Sequence, residues 1–192
     1  MQEKLFNLET ALITRRTVVR RFRENDGAAF YELCSANSSI LESTFPPVIA
    51  LLENPEASEF FIRRKLSEWL LQESYTFGIW DKESTKLTGY ISIDQIDWST
   101  PKGRLRFFID KNATGKGLMT EILISVISFA FRNIGLEKLS LDVHTENFSA
   151  QRLVRKCGFQ REGDLRGEYK RPSGDFVDVT LFGLTKSTYE KI

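Results

Sequence analysis

The sequence is poor in the groups that hold metals or cross-link chains. Its 192 residues include a single histidine, His144, and two cysteines, Cys34 and Cys157. One histidine and no CxxC pair leave no soft-ligand cluster, so no metal is expected. Two distant thiols build no disulfide framework, which fits a reducing compartment. No apolar run approaches the ~18 residues of a bilayer span, and the N-terminal Met-Gln-Glu-Lys-Leu-Phe lacks the apolar core of a secretion signal. A soluble, cytoplasmic chain is the expectation. Net charge is nearly absent as well: 27 basic against 26 acidic side chains leave +1. No global field therefore argues for nucleic acid or an anionic membrane as partner.

One local absence stands out against that neutral balance. Residues 24–62 contain no Lys or Arg but carry Glu24, Asp26, Glu32, Glu42, Glu53, Glu56 and Glu59. Acids favour the first turns of helices, which accounts for Asp26, Glu56 and Glu59. It does not account for the missing bases.

What is present is a foldable core. Apolar residues make up 41% and fifteen are phenylalanines, enough for one continuous ring-rich core in a single domain, 1–192, with its body at about 17–184. "TVVRRF" (17–22) reads as a strand, and Asp26 is placed to cap a short helix to about Cys34. Residues 37–57 hold Pro46, Pro47 and Pro55 and read as loop with at most short helices, and from Ser58 the apolar spacing is helical. "YTFGIWDKESTKLTGYISI" reads as a hairpin around Asp81–Thr85, and "GRLRFFID" as a half-buried strand. Met119, Ile122, Leu123, Val126, Ile127 and Ala130 form one helical stripe. "KLSLDV", a short helix ending at Gly158, and the closing strand "DFVDVTLFGL" complete the pattern. Helices separate some strands and not others, which predicts an α+β fold, a mixed sheet with helices packed on it.

The stretch "KNATGKGLMTEIL" (111–123) runs from a strand through two glycines into a helix. It is neither a P-loop, because Gly117 follows Lys116, nor a dinucleotide fingerprint, because Thr120 stands where a third glycine belongs. The free N–H groups of a first helical turn, with the helix dipole behind them, favour an anion. Gly115 and Gly117 remove side chains from its approach, and Lys116 and Thr120 offer further contacts. A pyrophosphate fits that description; so does a plain tight turn.

"FFIDKNATGKGLMTE" together with "ENFSAQRLVRKCGF" resembles the two cofactor motifs of the GNAT N-acetyltransferase superfamily. With "YTFGIWDKESTKLTGYISI" and "GFQREGDLR" the pattern is most similar to the ribosomal-protein N-acetyltransferase (Rim-type) branch. The resemblance implies a mostly antiparallel twisted sheet of about six or seven strands flanked by about four helices. The fourth and fifth strands would splay apart to hold acetyl-CoA. Its pantetheine would pair with the backbone of Phe107, Phe108 and Ile109, and its pyrophosphate would rest on Gly115, Lys116, Gly117, Leu118, Met119 and Thr120. Asn147, a good helix cap in its own right, would also contact the pantetheine. The sequence departs from the family pattern at Thr114, at Ala150 and at Val154, where many members carry a tyrosine that protonates the leaving thiolate.

The resemblance implies transfer of acetyl to a primary amine, foremost a protein or peptide N-terminus, with a polyamine or other small amine as the alternative. His144, at the strand end facing the cleft and able to titrate near neutrality, and Glu42, in the acceptor region, are the candidate bases. The acidic stretch 24–59 would suit a cationic acceptor. A monomer or homodimer is expected. Two rivals belong to other classes: a catalytically silent CoA-binding module, suggested by Ala150 and Val154, and a Cys–His hydrolase using Cys157 and His144. Cys157 lies on the apolar stripe of its helix and reads better as a buried small hydrophobe.

Overall fold

A computed structural model describes residues 10–44, 53–171 and 173–191, with side chains of the second helix only as far as Leu41. The elements run β1 (Ala11–Ile13), β2 (Thr17–Arg21), α1 (Gly27–Ala36), α2 (Ser38–Thr44) and α3 (Pro55–Leu70). A meander β3 (Tyr75–Asp81), β4 (Leu87–Asp97) and β5 (Lys102–Ile109) follows. The chain then alternates α4 (Leu118–Phe129), β6 (Lys138–His144) and α5 (Phe148–Lys156), and ends on β7 (Gln160–Lys170), β8 (Phe176–Thr185) and the single turn α6 (Lys186–Tyr189).

All eight strands form one sheet in the order β1-β2-β3-β4-β5-β6-β8-β7. Every pairing is antiparallel except β5–β6, where α4 carries the chain across to a parallel neighbour. The expected α+β architecture is present, with two more strands than the residue pattern alone marked out. β1 has three residues, too few for a period. β7 reads "QREGDLRGEYK" and is exposed along nearly its whole length, so it lacks apolar alternation. It is a strand because β8 supplies its hydrogen bonds, and its charges suit an edge that must not recruit another chain.

Two cores lie on opposite faces. On one, α4 and α5 cover a cluster that includes Leu105, Ile122, Leu139 and Val154. On the other, α1 and α3 cover Phe22, Phe30, Phe61, Tyr90 and Phe108. Phe30 stacks on Phe61 at 5.4 Å, and Tyr90 stacks on Phe108 at 5.8 Å. Alternation along β5 thus sends Leu105 to the α4 face and Phe108 to the α1–α3 face.

The α1–α3 pair is locked by an arrangement the sequence does not advertise. Asp26 sits at the N-cap of α1 but makes no side-chain cap. Its carboxylate instead takes the Arg20 guanidinium at 2.8 Å and the Arg23 N–H at 2.7 Å. The cap comes from α3: Glu59 accepts from the Asn25 and Gly27 amides, each at 3.0 Å. A Cβ on Gly27 would lie 2.5 Å from the Glu59 Cα, so only glycine lets the helices approach this closely. α3 itself starts at Pro55, three residues before Ser58, because Asn54 caps it through the Ala57 amide at 2.8 Å. No described helix is long and apolar enough to cross a membrane.

Candidate acyl-transfer cleft

The site begins where β5 and β6 part. They pair only from Lys102–Lys138 to Arg104–Ser140. β5 continues to Ile109 with β4 on its other edge, so its last five residues have no strand beside them on the gap side. A cleft of about 520 Å³ fills that gap. A buried strand edge without a ladder partner leaves amides and carbonyls to be satisfied by a ligand.

Phe107, Phe108 and Ile109 line the cleft from β5. So do Gly115, Gly117, Leu118, Met119 and Thr120 from the loop and the start of α4. Gly115 and Gly117 both have φ of 74°, the left-handed region that favours glycine. Gly117 is the N-cap of α4 and has no side chain to cap it, so the first amides of that helix stay free. A Cβ at Gly115 would meet nothing within 4 Å. The turn is therefore a cradle with open space above it. Lys116 differs from expectation: its ammonium donates to the Asn112 carbonyl at 2.9 Å and is not among the residues lining the cleft. The loop is anchored from α1, where Asn37 accepts from the Lys111 amide at 2.9 Å and donates to Asp110 at 3.2 Å.

The facing wall comes from β6 and α5. His144 ends β6 and lines the cleft. Burial, then the Arg171 charge, lower its pKa below the ordinary 6.5, with Asp142 and Glu146 pulling the other way. Its imidazole is thus neutral at pH 7. Asn147 lines the cleft and caps α5, accepting from the Ala150 amide at 3.0 Å. Glu42 falls in α2, but its side chain lies outside the described residues. Val154 is fully buried in the core. Cys157 is also buried, which pushes its thiol up to about 11 and keeps it protonated at neutral pH. It does not line the cleft, so no thiol faces His144 there.

One group was not singled out in the sequence. Tyr169, on β7, lines the cleft and donates its hydroxyl to Asp142 of β6. Asp142 also takes the Arg104 guanidinium, Nε to Oδ1 at 2.7 Å. Burial first, then that hydrogen bond, push the phenol up to about 12. Only the pairing of β7 with β8, and of β8 with β6, brings the tyrosine here.

A model of the acetyltransferase (GNAT) domain matches residues 16–160, three-quarters of the chain and all of the cleft lining except Tyr169. The chain belongs to the GNAT acetyltransferase family. Among its curated relatives, an uncharacterized N-acetyltransferase p20 of Bacillus licheniformis is 29% identical over 59% of this chain and 63% of its own length. The chain thus spans under two-thirds of that relative. A putative ribosomal N-acetyltransferase, YdaF of Bacillus subtilis, is 24% identical over 94% of this chain and 97% of its own. The solved ribosomal-protein-S5-alanine acetyltransferase of Vibrio fischeri superposes with a TM-score of 0.87 over 94% of this chain and 99% of its own. At 18% identity that likeness shows the fold. Within the GNAT fold of this chain the splay falls between β5 and β6, the fourth and fifth strands once β1 is set aside.

Proposed function

We propose that this protein transfers the acetyl group of acetyl-CoA to a primary amine, foremost the N-terminal amine of a protein or peptide. The observation that carries the reading is the unpaired β5 edge ending in a glycine cradle at a helix N-terminus. An extended ligand with amides in its chain and a pyrophosphate at its end matches both parts. Gly115, Gly117 and the Leu118–Thr120 amides would hold the pyrophosphate, and the edge from Leu105 to Ile109 would pair with the pantetheine. Arg152 and Lys156 of α5, which also line the cleft, add positive charge on the same side.

Transfer then requires a neutral amine nitrogen to attack the acetyl carbonyl carbon. His144, neutral at pH 7, takes the proton directly or through one water. The backbone amide of Ile109, on the β5 edge that faces the gap, stabilises the developing oxyanion. As the C–O⁻ bond collapses the carbon–sulfur bond breaks and CoA leaves as its thiolate, which requires a modest proton donor at most because alkyl thiols have pKa values near ~8.5. Alignment of thioester and amine lowers the entropic barrier.

A protein N-terminus is favoured over a small amine because the match to YdaF runs the full length of both chains. A cationic acceptor has less behind it. Asp26 is matched by Arg20 and Glu59 by two amides and Arg63. None of the acids of 24–62 with described side chains lines the cleft. The test is release of CoA thiol with a panel of peptide N-termini, spermidine and neutral amines. Amine-dependent release supports the reading. Acetyl-CoA binding without release on any amine would make the protein a silent CoA-binding module.

A further inference from the structure

We propose that the acceptor carries an anionic group, a carboxylate or a phosphate, close to its amine, and that Arg106 binds it. The proposal rests on the acetyl-transfer reading and adds a substrate class to it.

Arg106 stands on β5 between Leu105 and Phe107 and, like both, lines the cleft. Strand alternation puts it on the same face as Arg104 and Phe108. Phe108 packs into the α1–α3 core, so Arg106 opens on that side of the cleft. The glycine cradle, Arg152 and Lys156 belong to α4 and α5 on the other side. Arg106 is therefore not one of the groups placed for the cofactor's phosphates.

The charged neighbours of Arg106 on the same face of β5 and β4 have ion-pair partners. Arg104, two residues earlier, is held by Asp142, which is itself shared with Tyr169. Asp94, across from Arg104 on β4, belongs to Lys65 at 3.6 Å. Arg106 pairs with Ser92 through the backbone ladder, and its side chain makes no hydrogen bond or ion pair among the described residues. It is half-buried. Its charge is nonetheless felt by Tyr90 and by Tyr169, which places it at the centre of this wall. Arg171 adds a second incomplete cation: its Nε is buried without a hydrogen-bond partner among the described residues, and its charge acts on His144.

Arg106 in the cleft wall, with Arg104 and Arg171 close enough to act on Tyr169 and His144, thus stands against two carboxylates, Asp142 and Glu146. A half-buried guanidinium presents a rigid donor fork that fits a carboxylate or phosphate with two parallel hydrogen bonds. The same charge repels an acceptor with extra ammonium groups. A surface arginine in free solvent would carry no such implication, but Arg106 is set in the wall of the site between Leu105 and Phe107.

The test compares tripeptide amides Ser-Glu-Ala, Ser-Gln-Ala and Ser-Lys-Ala, with phosphoethanolamine and the free dipeptide Ser-Ala as phosphate and carboxylate arms. Wild-type protein should acetylate Ser-Glu-Ala with kcat/KM about tenfold above Ser-Gln-Ala, the size expected of a charge-assisted hydrogen bond. Arg106→Gln should bring that ratio to about one, and Arg106→Glu should invert it toward Ser-Lys-Ala. Calorimetry of each amine on CoA-loaded protein gives a readout independent of turnover. Binding of the anionic amines that Arg106→Gln abolishes would support the subsite even if no amine reacts, and in that case it is the acetyl-transfer reading that fails. Equal handling of acidic and neutral amines by wild type, or an unchanged ratio in Arg106→Gln, would overturn the proposal.

Discussion

The Tyr169 hydroxyl donates to the Asp142 carboxylate, joining the last hairpin of the sheet to the strand that ends in His144. The same carboxylate holds Arg104, so one acid orders three strands around the cleft. Tyr169→Phe removes a donor to a charged acceptor, a change worth about 1.5–3 kcal/mol. The expected outcome is a lower melting temperature and lower turnover, with acetyl-CoA affinity retained. Asp142→Asn should cost more, because Arg104 then keeps a buried charge without its counter-ion. Chemical denaturation of both variants beside wild type checks the order.

With His144 as the proposed base, the pH profile gains an acid limb. A base must be unprotonated, and burial and Arg171 hold this imidazole below the ordinary 6.5. kcat/KM is therefore expected to stay level through pH 7 and fall only once pH drops through that lowered value. Arg171→Gln removes a repelling charge and should move the limb upward, whereas Asp142→Asn should move it downward. His144→Ala should abolish the limb and lower turnover about a hundredfold or more, in line with loss of a general base. A profile in which neither variant moves the limb would return His144 to a structural role.

The sequence carried the site's main strand and helix starts because each is locally encoded. Alternation marked β5, and two left-handed glycines before an apolar stripe marked the cradle. What it hid depends on tertiary pairing. β7 has no apolar rhythm, so Tyr169 gave no signal. Asp26 has the right type and place for a cap, yet Arg20 claims it, and Glu59 from another helix does the capping. Lys116 looked like an anion ligand and turns back onto Asn112. The missing bases of 24–62 are a real sequence feature, but the charges lining the cleft come from β5, β6 and α5, which composition by segment does not reveal.

Glu59 makes stability depend on acid. Burial alone would raise its pKa, but hydrogen bonds from Asn25, Gly27 and Arg63 outweigh that and hold it below the ordinary 4.5. A depressed folded-state pKa gives stability present above the unfolded value and lost as pH falls through the folded one. Glu59→Gln, which keeps one acceptor and loses the charge, should destabilise by about 1 kcal/mol near neutrality. The gap should shrink toward pH 3, as read by urea melts at both pH values. Gly27→Ala should be worse, since its new methyl collides with α3 backbone.

The cradle separates strain from charge. Gly117→Ala forces a Cβ onto a φ of 74°, which costs about 1–2 kcal/mol of stability. Gly117→Glu adds a negative charge at the mouth of α4. Both should melt below wild type without ligand. In calorimetry Gly117→Ala should bind acetyl-CoA weakly and Gly117→Glu not at all. Equal binding by all three would mean the loop is only a turn.

The most direct measurement is CoA thiol release from acetyl-CoA mixed with a peptide bearing a free N-terminal amine, beside the same peptide with that amine blocked. Acetyl transfer in the β5–β6 cleft predicts release with the free peptide only, matched mole for mole by acetylated α-amine in the mass spectrum. Release that is the same with the blocked peptide, or no release from protein shown to bind acetyl-CoA, would contradict it.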